Sequence, residues 1–174
     1  MAEFVGTPAG AGRRVAVLAS RFNESVTQKL ADGAIEALVR HGLVTENIDI
    51  IWVPGAWELP AAGRRLGALD LDAETGPPIR PLASERYDAL VVVGAVIRGE
   101  TPHFDYIAAE ASRGLAQASS DYDVPVGFGL LTTDTTAQAE ARAGGDHGNK
   151  GWDAAIAALE MADLFDRLDA PPES

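Results

Sequence analysis

The chain has 174 residues, of which 47% are hydrophobic, and its 14 basic residues against 26 acidic ones give a formal net charge of −12. That length and apolar content fit one domain with a sizeable core, and the acidic balance excludes nucleic acid as the main partner, since phosphate binding needs a basic face. Cysteine is absent, which excludes disulfides, thiolate metal sites and a thiol nucleophile.

The opening MAEFVGTPAGAGRR lacks a basic region followed by an apolar core, so no secretory leader is expected, and residues 1–13 read as an N-terminal extension. The run VAVLA (15–19) predicts a buried strand. Asn23 is placed to cap the helix after it. Val26, Leu30, Ala34, Ala37 and Leu38 form one stripe at helical spacing, and Gly42 predicts the helix end. IDIIWV (48–53) predicts a second strand closed by Pro54-Gly55, with a shorter helix over about 58–69.

Residues 70–86, DLDAETGPPIRPLASER, break the pattern with acidic residues and prolines. The βα rhythm continues on both sides, so they read as an exposed loop insertion within a single domain spanning 1–174. YDALVVV (87–93) predicts a third strand, helical spacing resumes over about 104–119, and VPVGFGLL (124–131) predicts a fourth strand. Thr135 and Gln138 have capping-box spacing for a helix ending near Gly144. GGDHGNKG (144–151) reads as a glycine-rich loop, a last amphipathic helix covers about 152–168, and 169–174 form a tail. The longest apolar run, residues 89–97, falls far short of the roughly 20 residues of a membrane helix, so a cytoplasmic protein is expected.

Continuous apolar strands alternating with helices imply a parallel sheet covered on both faces. With right-handed crossovers this is a three-layer α/β/α sandwich on a four-stranded parallel sheet. Ligands of such folds sit outside the carboxyl ends of the strands, which selects the loops 20–23, 54–58, 94–103 and 132–135.

Those loops carry most of the polar residues that invite a functional reading. Phe22, before the helix start, serves either as a hydrophobic staple or as a flat platform for a heteroaromatic ring. Glu58 in a first helical turn suits the helix dipole, and could equally accept hydrogen bonds from hydroxyls or ring N–H groups. In VIRGETPHFDY (96–106), Gly99, Glu100 and Thr101 ahead of a helix can present N–H groups and a hydroxyl to an anion. His103, one of 3 histidines in the chain, can move protons near neutral pH. Phe128 inside the fourth strand reads as core. Arg142 and Lys150 bracket the glycine-rich loop and, in an acidic chain, could mark an anion site. No spacing suggests a metal site.

These segments resemble the 6,7-dimethyl-8-ribityllumazine synthase family of riboflavin biosynthesis: SRFN (20–23), WVPGAWELP (52–60), GAVIRGETPHFDY (94–106), VPVGFGLLTTD (124–134), RAG (142–144) and GNKG (148–151). The resemblance runs in family order from Val15 to Leu164, and is most specific around VIRGETPHFDY. It implies a flavodoxin-like fold and a condensation of 5-amino-6-(ribitylamino)uracil with 3,4-dihydroxy-2-butanone 4-phosphate, giving the lumazine, phosphate and water, with no cofactor. By the same resemblance Phe22 stacks on the pyrimidine ring, and Ala56, Trp57 and Glu58 hold the ribityl chain and ring edge. Ala95, Val96 and Ile97 line the same pocket, Glu100 and Thr101 join Arg142 at the phosphate, and His103 transfers protons. Phe128, Arg142 and Lys150 would come from a neighbouring subunit.

The resemblance also implies a homo-oligomer, a pentamer that in some members stacks into an icosahedral shell, with riboflavin synthase as a candidate partner. The short link GGDHGNKG is of the shell-forming type. Two departures stand out. The 70–86 insertion is longer than the family pattern and bears on assembly rather than chemistry, and Trp57 is a conservative change at a variable aromatic position. Arg98 has no assigned part and is expected to be structural. The rival readings are an archaeal-type riboflavin synthase, a flavin-binding or shell-forming paralogue without catalysis, and a flavodoxin-like mononucleotide binder.

Overall fold

The computed structural model describes residues 1, 3–68 and 86–170. Residues 70–85 of the expected insertion lie outside the described residues.

Four strands, β1 (Val15–Ser20), β2 (Ile48–Val53), β3 (Ala89–Ile97) and β4 (Val126–Thr133), form one parallel sheet in the order β2-β1-β3-β4. β1 and most of β3 are buried, as continuous apolar strands in a doubly covered sheet must be. Helices α1 (Glu24–Arg40) and α5 (Lys150–Asp169) pack on one face, and α2 (Leu59–Gly67) and α3 (His103–Tyr122) on the other. This is the expected three-layer α/β/α arrangement. The main core joins Val15, Val17 and Ala19 of β1 with Leu30 and Leu38 of α1 and Leu159 of α5. A second core joins Leu18, Val92 and Leu130 with Leu59 and Leu115.

The elements differ from the sequence reading mainly at their ends. β3 runs on to Ile97, so the turn toward α3 begins only at Arg98. The glycine-rich link is a small antiparallel hairpin, β5 (Ala143–Gly145) with β6 (Gly148–Asn149). The left-handed backbone of Gly144 (φ 103°) and Gly148 (φ 71°) requires glycine there. α5 starts at Lys150 because the Asn149 side-chain oxygen accepts from the N–H groups of Gly151 and Trp152. Thr135 caps the short α4 (Thr136–Ala141) as expected, by accepting from the Gln138 N–H at 3.2 Å.

Phe128 corrects the sequence reading of its strand position. It lies on the edge strand β4 and is 48% exposed rather than core. Asn23 is a second correction. Its side chain makes no capping bond, and its backbone is left-handed at φ 63°. No described helix is long and apolar enough to cross a membrane.

At the amino end of the sheet the Arg14 guanidinium donates to Asp49 at 2.5 Å and lies 5.5 Å above the ring of Tyr87. The Tyr87 hydroxyl donates to the same carboxylate at 2.7 Å. Burial, then this hydrogen bond, pushes the Tyr87 hydroxyl up to about 12. The extension at the N-terminus lies against α5, where the backbone N–H and the hydroxyl of Thr7 both donate to Asp163 at 2.7 and 2.9 Å.

Candidate active site

The order β2-β1-β3-β4 reverses direction between β1 and β3, which opens a crevice at their carboxyl ends. The loop after β1 is tied to the end of β2 by the backbone: the Arg21 N–H donates to the Val53 carbonyl at 2.8 Å, and the Phe22 N–H to the Pro54 carbonyl at 3.1 Å. From the other side Asn23 Nδ2 donates to the carbonyl of Ala95 on β3 at 2.8 Å. These bonds hold Phe22 between two strand ends, with its ring 71% exposed. That exposure rules out the staple reading and leaves a bare aromatic face beside the crevice.

A cavity of about 320 Å³ occupies this position, within the size range of small-molecule sites. Phe22, Ala56 and Trp57 form one wall and Ala95, Val96 and Ile97 another, with Thr101 and His103 at the loop end. Trp57 is 55% exposed, so two aromatic side chains face solvent across one apolar hollow. Ala56, Trp57 and Glu58 form a 3₁₀ turn between β2 and α2. The Glu58 carboxylate folds back toward Gly55, with Oε2 3.3 Å from where a Cβ on that glycine would stand. Glu58 is half-buried and is not among the residues lining the cavity, though its carboxylate lies beside Gly55, which is.

His103 is the first residue of α3 and is exposed, while Phe104 and Ile107 of the same helix close the apolar side of the cavity. Glu100 is exposed and does not line the hollow. Arg98 lies on the outer side of the loop. It donates from Nε to Asp134 at 2.7 Å and from Nη1 to Asp105 at 3.3 Å, and its guanidinium stacks 4.2 Å from the Phe104 ring centre. The hydrogen bond with Asp134 leads in raising its pKa above the ordinary arginine value.

Five of the expected site residues do not line this cavity: Glu58 and Glu100 beside it, and Phe128, Arg142 and Lys150 away from it. Phe128, Arg142 and Lys150 line a second, separate hollow of about 250 Å³ beside β4. Arg142 makes one side-chain hydrogen bond among the described residues, to the Gln138 carbonyl at 3.0 Å. Lys150 pairs with Asp153 at 2.6 Å. Among the described residues no group of acidic and histidine side chains is placed to hold a metal ion.

Asn23 was missed as a site residue by sequence reasoning. Its type and place before a helix match an N-cap, and only the approach of β3 to the β1–α1 loop reveals its tie to Ala95.

A strand-end hollow with two exposed aromatic side chains on its wall and a histidine at a helix start marks an α/β protein with a small-molecule site. The sequence model of the 6,7-dimethyl-8-ribityllumazine synthase family matches residues 12–166. A protein of Gemmatimonas aurantiaca named 6,7-dimethyl-8-ribityllumazine synthase is 64% identical over 167 residues, which cover 96% of this chain and 93% of that protein. One of the same name from Kosmotoga olearia is 46% identical over 170 residues, covering 98% and 99% of the two chains. The chain belongs to the 6,7-dimethyl-8-ribityllumazine synthase family.

Proposed function

We propose that the cavity between β1 and β3 is where this chain performs the family's reaction, the condensation of 5-amino-6-(ribitylamino)uracil with 3,4-dihydroxy-2-butanone 4-phosphate to the lumazine, phosphate and water. The observation that carries the placement is the pair of exposed aromatics, Phe22 and Trp57, on the rim of an apolar hollow that also receives His103. Phe22 stacks on the pyrimidine. Ala56, Trp57 and Glu58 hold the ribityl chain and ring edge, and Ala95, Val96 and Ile97 form the floor. Glu100 and Thr101 meet the phosphate at the start of α3, where helix N–H groups favour an anion.

The chemistry fits these roles. The aromatic amine attacks the ketone, the carbinolamine loses water, phosphate is eliminated, and attack of the ribitylamino nitrogen on the remaining carbonyl closes the second ring with loss of a second water. Each step relocates a proton, which His103 can take and return. Amine and ketone are reactive already, so holding them together supplies most of the acceleration.

The second hollow supports a shared site. Phe128 exposes a ring on β4 beside Arg142 and Lys150, and on a neighbouring copy these would complete the phosphate and ring pockets. A heterologous contact of this kind closes into a ring where its rotation allows, and the family resemblance implies that the ring is a pentamer. Residues 1–174 act as one unit, the assembly is a pentamer or a shell of stacked pentamers, riboflavin synthase is the candidate partner, and the cytoplasm is the compartment. Mixing the purified protein with both substrates and following lumazine absorbance tests the reaction. A rate above the uncatalysed background is expected, and its absence would overturn the assignment. Light scattering separates pentamer from shell.

A further inference from the structure

We propose that Arg98 is a positioning residue, which fixes the loop between β3 and α3 so that His103 faces the cavity. This rests on the reading of His103 as the proton-transfer group. Arg98 fastens three elements at once. Its backbone N–H donates to the Thr133 carbonyl at the end of β4 at 2.8 Å. Its Nε donates to Asp134 just beyond β4, and its Nη1 to Asp105 in the first turn of α3. Its guanidinium plane covers the Phe104 ring, and the same Phe104 lines the cavity next to His103.

The intervening loop has little else to define it. Gly99, Glu100 and Thr101 are exposed, and a Cβ on Gly99 would meet nothing within 4 Å. Exposed ion pairs contribute little to stability, and the Arg98 side chain is 44% exposed. Stability is therefore a weak reason for placing one arginine against two carboxylates and an aromatic ring. Geometry is a better one. A planar fork that bonds two partners while stacking on a third fixes direction as well as distance, and small displacements of a reacting group cost much rate. A lysine has neither the fork nor the stacking plane.

The test is a double-mutant cycle on the purified enzyme, with kcat, the KM of each substrate and the thermal midpoint measured for Arg98→Met, His103→Ala and the double variant. Arg98→Met is expected to lower kcat about tenfold with KM within about twofold. In the His103→Ala background the same change should cost less than about twofold, because the group it positions has gone. Arg98→Lys should recover only part of the loss. If Arg98→Met lowers only the thermal midpoint, or if its effect multiplies in full onto His103→Ala, the positioning role is overturned. A wild-type rate in His103→Ala alone would instead overturn the reading of His103. Should Arg98→Met fail to fold, Asp134→Asn keeps the arginine and removes one charged acceptor. A fall of about threefold in kcat that vanishes in the His103→Ala background is expected, and an unchanged kcat overturns the proposal.

Discussion

The side-chain amide of Asn23 and the carbonyl of Ala95 are joined at 2.8 Å, so the residue after the exposed Phe22 is pinned to the strand that floors the cavity. Two properties of Asn23 serve this: an amide that reaches β3, and tolerance of a left-handed backbone. Asn23→Gly keeps the backbone and loses the bond, while Asn23→Ala loses both. The alanine variant should be destabilised by about 2 kcal/mol and the glycine variant by about half that. Both should raise the KM of the pyrimidine substrate to a similar extent. Denaturant midpoints and steady-state kinetics check the pair, and equal stabilities would count against the backbone argument.

His103→Ala should slow turnover by about a hundredfold, the low end for general acid–base catalysis, and leave measurable activity. Complete loss with substrate binding intact would contradict a mechanism led by proximity. Arg142→Ala should act differently, raising the KM of the phosphate substrate about tenfold or more, as expected for a lost charged hydrogen bond, with a smaller change in kcat. Kinetics with each substrate varied in turn separate the two patterns.

The hydroxyl of Tyr87 is pushed up to about 12, from the ordinary tyrosine value of about 10. A raised value means that the fold favours the protonated form. That stabilisation is present in full below about pH 10 and is lost as pH rises through about 12. Above it the phenolate would face the Asp49 carboxylate to which it now donates. Tyr87→Phe should therefore flatten the fall in stability between about pH 10 and 12, at a cost of about 1 kcal/mol near neutrality. Unfolding by denaturant across that pH series is the measurement, and an unchanged slope would refute the account.

The fold was legible because its strands are apolar runs and its helices carry regular stripes, which local pattern alone can place. Boundaries went astray where tertiary contacts decide them. β3 gains Gly94 to Ile97 through pairing with β4, and α5 gains Lys150 through the Asn149 cap. Phe128 misled as a core residue because strand alternation does not say whether a strand lies at the edge of its sheet. The site was legible in part. Strand-end logic found the loops of Phe22, Glu58 and His103, whereas the clamp of Arg98 joins residues 36 positions apart in sequence. No local pattern in the sequence announces such a contact.

With a site shared between subunits, as proposed, the separation of the two hollows would give the assembly a property that single chains lack. If each working centre takes the Phe22 and His103 side from one subunit and the Arg142 side from the next, a defect in one chain spoils only one half of each of two centres. Subunits bearing His103→Ala, co-assembled at random with an equal amount of subunits bearing Arg142→Ala, would then form intact centres at about a quarter of their contacts. At concentrations of the phosphate substrate well below its KM the mixture would be faster than either variant alone. Complementation between crippled chains thus follows from where Phe128, Arg142 and Lys150 lie on β4 and the hairpin beside it.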